Sequence, residues 1–352
     1  MHRPLGNTGL FVPPVVFGAT CLGNLFVAMS EADKRELIRQ WMAHVPAPVA
    51  IDSAGKYGAG LSLEVLGREL KALEVEPTDV IISNKLAWRR VPLTAPEPTF
   101  EPGVWIGLEH DAVQEISYDG ILRCYEDGCR MLGDYRPRLV SVHDPDEYLA
   151  AAASPDQRRD RLQDIFGAYR ALEELRDAGL VAGVGVGAKD WRTIRELDQN
   201  CRLDWVMMAN SFTLMNHPTE LVAFMDSLAD RQIGLINSAV THGGFLTGGR
   251  FCDYRPIDPN NPTDAQRLGW RERFVEVCRR HDCSPYQVAV AFGRSHPGVV
   301  AVALSTSRPS RVGEMVAAAS SEVPESVWAE LREQGLIDPG YSHLGGSSED
   351  RH

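Results

Sequence analysis

Three short apolar runs in this sequence end in a group that can hold or move a proton. VAID ends in Asp52, VIISNK in Lys85 and LVSVH in His143, while Tyr57 follows Asp52 in a glycine-flanked loop, AGKYG. Taken singly, the aspartate reads as a loop cap, the lysine as a solvated rim residue and the histidine as a satisfied core group. Together they describe a proton-transfer centre. A phenol with an unperturbed pKa of about 10 exchanges its proton poorly near neutrality, and a neighbouring ammonium lowers that value by stabilising the phenolate. Lys85 can supply the ammonium, and Asp52 can keep it charged and oriented. His143 can donate a hydrogen bond to a carbonyl or hydroxyl oxygen. Tyr57 then serves as general acid for reduction or general base for oxidation. The remaining requirement is a hydride carrier, which no side chain provides, so a nicotinamide cofactor is implied.

Such residues work only if the elements bearing them converge. Short apolar runs at Val15–Gly18, Val49–Asp52, Val80–Lys85, Leu139–His143, Ala182–Gly185, Trp205–Met208, Gly234–Asn237 and Val299–Leu304 read as strands buried on both faces. Helical segments alternate with them: Ser30–Ala43, opened by an SEAD cap, Ser62–Leu73, 121–132, Ile165–Ala178 ending before Gly179, 191–199, 218–230, 266–281 and 310–319. Strand and helix in strict alternation predict an α/β fold, a (β/α)8 TIM barrel, in a single domain over 1–340 with a flexible tail at 341–352. Asp52, Lys85 and His143 then share the C-terminal rim of adjacent strands, where barrel enzymes place their sites. Two proline- and aromatic-rich segments, 87–118 and 247–265, emerge on the same rim as long loops. The spacing Gly183-x-Gly185-x-Gly187 is wrong for a dinucleotide fingerprint and reads as small residues at a tight strand exit.

Composition narrows the functional classes. The chain has 352 residues, 44% hydrophobic and 24% charged, enough for a large unstapled core. Its net charge of −12, from 36 basic and 48 acidic residues, comes without any basic run, which argues against a nucleic-acid partner. Neither a secretory leader nor an apolar stretch of about 18 residues is evident, so no membrane partner is expected and a cytoplasmic location is. Seven cysteines, with no CxxC, point to free thiols rather than a disulfide framework or zinc site. Monomer and homo-oligomer both remain open.

The sequence resembles the aldo-keto reductase superfamily over most of its length. RPLGNTGLFVPPVVFGAT looks like that family's N-terminal hairpin and first strand, and DSAGKYGAGLSLEVLGREL matches its Asp-x4-Tyr-Gly segment and following helix. Lys85 and His143 match its remaining catalytic positions. The resemblance implies nicotinamide-binding residues after the later strands. In ANSFTLMN these are Asn210 as carboxamide partner and Phe212 as stacking platform. In NSAVTHGGFLTGG they are Ser238, Gly243, Gly244 and Leu246 along the pyrophosphate. In ALSTSRPSRVGEM they are Ser305, Thr306, Arg311 and Glu314 at the adenosine phosphate. Gly185 and Val186 replace the family's usual Ser-Asn. Ser305 replaces a common 2′-phosphate lysine while Arg311 is retained, so the cofactor is NAD or NADP, with NAD favoured.

AIDSAGKYG, SVHDP and FLTGGRFCDYR look most like the sugar-oxidising branch, the D-threo-aldose and L-fucose 1-dehydrogenases. That implies oxidation of an aldose at its anomeric carbon to a lactone, with Trp88, Trp105, His242 and Tyr254 lining the sugar pocket. The alternatives are a general aldehyde or ketone reductase, a non-catalytic nucleotide-binding barrel, and a metal-dependent barrel hydrolase or aldolase using His143, Asp144, Asp52 and His242. No HxH pair supports the last, and Lys85 would repel a cation there.

Overall fold

The computed structural model describes residues 1–253 and 255–344. Its centre is a closed ring of parallel strands: β1 (Val15–Gly18), β2 (Val49–Ala54), β3 (Val80–Leu86), β4 (Pro137–His143), β5 (Gly183–Ala188), β6 (Trp205–Ala209), β7 (Gly234–Ser238) and β8 (Val299–Leu304). Each strand pairs with its neighbours in the chain, and β8 pairs with β1 to close the ring. The expected TIM barrel is therefore the fold, with all the anticipated strands in it. Around it lie α1 (Glu31–His44), α2 (Leu61–Ala72), α3 (Tyr118–Leu132), α4 (Pro145–Ala150), α5 (Pro155–Asp177), α6 (Trp191–Asp198), α7 (Thr219–Asp230), α8 (Pro262–Arg280), α9 (Pro285–Gly293), α10 (Val312–Ser320) and α11 (Glu325–Glu333).

Local chemistry sets the helix ends. Ser30 Oγ accepts the Asp33 amide at 3.1 Å and starts α1. Helix α5 begins at Pro155, well before the expected Ile165. Ser154 Oγ accepts the Gln157 amide at 3.1 Å, and Gln157 Oε1 accepts the Ala153 amide at 2.6 Å, a reciprocal cap. Its first turns face solvent, so they carry no apolar periodicity. The short helices α4, α9 and α11 also have no counterpart in the expected pattern.

Alternation along the strands sorts the barrel interior from the helix-facing layer. Val16, Ala50, Ile81, Leu139, Trp205 and Ile236 point inward. They pack with Leu5 and Val12 of an N-terminal hairpin, Arg3–Pro4 with Phe11–Val12, which plugs the bottom. The glycine run in β5 acquires a steric meaning here. A period of two turns Gly183, Gly185 and Gly187 all inward, while Val184 and Val186 join the core beneath the helices. A Cβ at Gly185 would stand 2.4 Å from the Trp205 indole, and one at Gly187 2.8 Å from Lys85 Cδ. The stripe leaves room for a tryptophan in the core and a lysine at the rim.

Both rim segments are more regular than the sequence suggested. Within 87–118, Trp88–Pro92 pairs antiparallel with His110–Gln114 to form an arm. The tip of the arm crosses the rim: the Phe26 amide donates to Val104 O at 2.7 Å and the Ile106 amide to Asn24 O at 3.1 Å. Within 247–265, Phe251–Cys252 pairs with Arg255–Pro256. Of the expected tail, Tyr341 and Leu344 are buried, and the Tyr341 hydroxyl lies 2.6 Å from Ser295 Oγ, so the chain is packed through Leu344. Residues 345–352 lie outside the described residues. No helix among the described residues is long and apolar enough to cross a membrane.

Candidate active site

Asp52, Lys85 and His143 occupy inward positions at the C-terminal ends of β2, β3 and β4, and Tyr57 follows β2 in the turn that leads to α2. Its amide donates to Ala54 O at 3.1 Å, which folds the turn back over the strand end. The Lys85 ammonium bonds Asp52 Oδ2, and Ser83 Oγ donates to Asp52 Oδ1 at 3.0 Å. Lys85 Nζ stands 4.7 Å from the centre of the Tyr57 ring. The His143 ring meets Tyr57 edge-on, centroids 5.5 Å apart and planes at 84°. The structure thus brings all four sequence-predicted groups together. Asp52, Lys85 and His143 are 3%, 4% and 4% exposed, so their charges act on one another with little screening by water.

Burial, reinforced by the positive charges of Lys85, Lys56 and Lys189, holds the His143 pKa well below the ordinary imidazole range. The ring is neutral at physiological pH and offers one N–H as a donor without carrying charge. Its Nδ1 is buried without a hydrogen-bond partner among the described residues.

A second ionic group beside these four was not anticipated. Lys56 Nζ is buried against Glu101 Oε1 at 2.8 Å, Asp144 Oδ2 at 3.2 Å and Glu147 Oε2 at 3.4 Å. Burial opposes its charge, but Asp144, Glu101 and Glu147 outweigh that and raise its pKa above the usual lysine range. Lys189 completes the cluster through Glu147 and Asp144, and the same opposition ends with its pKa raised too. The signal available in sequence was adjacency: Lys56 precedes Tyr57, and Asp144 follows His143.

Trp105 lies beside Tyr57, ring centroids 5.9 Å apart, and its Nε1 donates to Glu101 Oε2 at 2.8 Å. Trp88, from the base of the arm, packs on Phe100 at 5.7 Å and carries Lys56 Nζ 5.3 Å from its ring. Both tryptophans therefore stand in the wall around the reaction centre. His242 does not. It is 3% exposed, with one ring nitrogen 2.7 Å from Thr213 Oγ1 and the other 2.8 Å from Asp253 Oδ1, so it braces the loop after β7. Tyr254 lies outside the described residues.

The residues expected to hold a nucleotide divide in the same way. Ser305, Arg311 and Glu314 are exposed and Thr306 half-buried on the rim that opens α10. Gly243 and Gly244 follow β7 with φ of +68° and +89°, conformations that a side chain would strain. Asn210 follows β6 at φ +59°, its Oδ1 buried without a partner among the described residues. Ser238 ends β7 and donates its hydroxyl to Met208 O at 3.1 Å. Phe212 requires correction: it is fully buried outside the barrel between Phe292 and Tyr341, ring centroids 5.3 Å and 5.8 Å away, and cannot serve as a stacking platform. Leu246 is likewise fully buried, and its amide already donates to Thr241 O, which removes it from any pyrophosphate contact.

The profile of the Aldo/keto reductase family matches residues 14–335, nearly the whole barrel. The chain belongs to the aldo/keto reductase family. Two relatives of this aldo/keto reductase are dehydrogenases: the pyridoxal 4-dehydrogenase of Microbacterium luteolum, 28% identical over 95% of this chain and 97% of the other, and the D-threo-aldose 1-dehydrogenase of a Pseudomonas species, 29% identical over 94% and 96%. The solved glycerol dehydrogenase of Gluconobacter oxydans superposes with a TM-score of 0.69 over 97% of this chain and 98% of its own, at 16% identity, and shares the fold. An aldo/keto reductase is an oxidoreductase of small carbonyl or sugar compounds, and the family with its dehydrogenase relatives implies a nicotinamide cofactor. The rim accommodates that group. The unpartnered Asn210 Oδ1 suits a carboxamide N–H, and the exposed hydroxyls and guanidinium of Ser305 and Arg311 suit phosphate.

Proposed function

We propose that this aldo/keto reductase is an NAD-dependent dehydrogenase that oxidises an aldose at its anomeric carbon to the lactone. The observation that carries the chemistry is the Lys85 ammonium, fixed by Asp52 and set 4.7 Å from the Tyr57 ring, with a neutral His143 at the ring edge. Asn210 would hold the carboxamide of a nicotinamide cofactor and Gly243, Gly244, Ser305, Thr306 and Arg311 its phosphates, and the cofactor would supply the hydride acceptor. Tyr57 takes the proton of the anomeric hydroxyl, and Lys85 stabilises the phenolate that does so. Asp52 keeps Lys85 charged and in place. His143 donates its N–H to the substrate oxygen, and its neutrality spares the site a cation that would repel Lys85. As C1–H leaves with its electron pair and the hydroxyl loses its proton, C1 becomes the lactone carbonyl.

Relatives that oxidise an aldose and pyridoxal support this direction, because both compounds are hydroxy aldehydes that close into cyclic hemiacetals. NAD is favoured over NADP because Ser305 stands where the family commonly carries a lysine for the 2′-phosphate.

The test follows nicotinamide absorbance with NAD and NADP separately, across L-fucose, D-arabinose, L-galactose and pyridoxal. Tyr57→Phe is assayed in parallel. The expected result is NAD-linked sugar oxidation that Tyr57→Phe reduces by about 100- to 10,000-fold, the usual share of a general base, while nucleotide affinity persists. Reduction of aliphatic aldehydes with no sugar oxidised at all would reject the reading.

A further inference from the structure

We infer that Lys56 and Asp144 form a hydroxyl-binding subsite that selects substrates bearing a free hydroxyl next to the reacting carbon; this rests on the aldose reading above. Asp144 Oδ2 lies 3.2 Å from Lys56 Nζ and 3.6 Å from His143 Nε2. One carboxylate oxygen therefore touches both the ammonium and the ring that faces Tyr57. Lys56 and Asp144 are the chain neighbours of Tyr57 and His143, the two groups expected to hold the reacting oxygen. A substrate hydroxyl can give its proton to Asp144, which Lys56 holds in place while its three ammonium protons go to Glu101, Asp144 and Glu147.

Three observations separate this pair from a structural ion pair. Both residues are buried, at 4% and 7% exposure, and a buried ion pair adds little stability over an apolar pair of the same size. Asp144 is held at φ +48°, a left-handed conformation for a non-glycine residue, fixed by its amide donating to Gly187 O at 2.9 Å. Trp88 Nε1, a donor whose ring lies beside Lys56, lacks an acceptor among the described residues, and a sugar oxygen would supply one. The cluster also sets the charge of the ligand. Lys56 and Lys189 face three carboxylates, Asp144, Glu147 and Glu101, so the local balance is negative and disfavours phosphorylated or acidic sugars. The ligand class is a neutral polyhydroxy aldehyde in its cyclic form.

The test compares kcat/KM for an oxidised aldose with its 2-deoxy analogue, in the full-length enzyme and in Lys56→Met, Lys56→Arg and Asp144→Asn. Loss of a hydrogen bond to a charged group predicts a preference of about 10- to 100-fold for the parent sugar in the unmodified enzyme. Lys56→Met and Asp144→Asn bring that ratio close to one, and Lys56→Arg retains most of it. Nucleotide affinity, read by quenching of tryptophan fluorescence, reports whether each variant is folded. A ratio near one in the unmodified enzyme, or a Lys56→Met that slows both sugars equally, overturns the subsite and leaves the aldose reading standing. Failure of the unmodified enzyme to oxidise any aldose rejects both.

Discussion

Replacing Gly187 by alanine should separate catalysis from stability in this barrel. Gly187 does not have a positive φ, so its backbone accepts a side chain, and alanine in a strand gains roughly 0.5–1 kcal/mol over glycine. The added Cβ would sit 2.8 Å from Lys85 Cδ. Ordinary carbon contacts lie at about 3.5–4.0 Å, so the lysine must shift by roughly 1 Å. Its head is tied to Asp52, and the movement falls on the segment that sets Nζ beneath Tyr57. Misplacing a reacting group by about 1 Å costs on the order of 100-fold in rate. The expected outcome is a kcat about 100-fold lower with an undiminished Tm. Gly185→Ala, one inward position back, supplies the contrast. Its Cβ would stand 2.4 Å from the Trp205 indole, which is fully buried and cannot give way. Overpacking there costs about 1–3 kcal/mol, so Tm should fall by several degrees, with a smaller loss of kcat. Initial rates and differential scanning calorimetry on both proteins suffice. A Gly187→Ala enzyme with unchanged kcat/KM would refute the argument that Lys85 must lie against β5. A matching loss of Tm in the two variants would show that the stripe serves packing alone.

Phe212→Ala should remove about 3–5 kcal/mol of stability, read by denaturant unfolding, because the ring fills the core between Phe292 and Tyr341; nucleotide affinity should change little. A large loss of affinity with stability intact would restore Phe212 to the cofactor. His296, fully buried against Asp226 and His343, has its pKa lowered to about 4, chiefly by burial. Between pH 6.5 and that value the unfolded chain binds more protons than the folded one, so stability falls with pH over this window, by roughly 3 kcal/mol at its foot. His296→Gln should flatten that acid limb in a series of denaturant titrations, and an unaltered limb would assign it to other groups.

The strands were legible because each is a brief apolar run that stops at a polar residue, and the three proton-carrying ends, Asp52, Lys85 and His143, fell in order on neighbouring strands. What escaped was set by tertiary contact rather than by local pattern. The polar first turns of α5 show no periodicity, although Ser154 and Gln157 carried a readable cap. Phe212 and Leu246 sit in segments that resemble cofactor-binding ones, yet Phe212 packs between Phe292 and Tyr341 and Leu246 is fully buried. His242 looked free to line a pocket until Thr213 and Asp253 claimed both its nitrogens. The Lys56–Asp144 pair joins residues far apart in sequence, and the pairing of β2 and β4 on either side of β3 places their charges together.

The backbone pairing of residues 24–26 with 104–106 has a consequence for anyone recombining this enzyme with its relatives. The β1 exit loop and the arm tip are stitched into one piece of sheet, so they behave as a single part rather than two independent loops. A chimera that imports a foreign arm without its matching β1 loop loses the seam and leaves Asn24, Phe26, Val104 and Ile106 with unpaired backbone. Exchange of substrate range by loop grafting therefore has to move both segments at once.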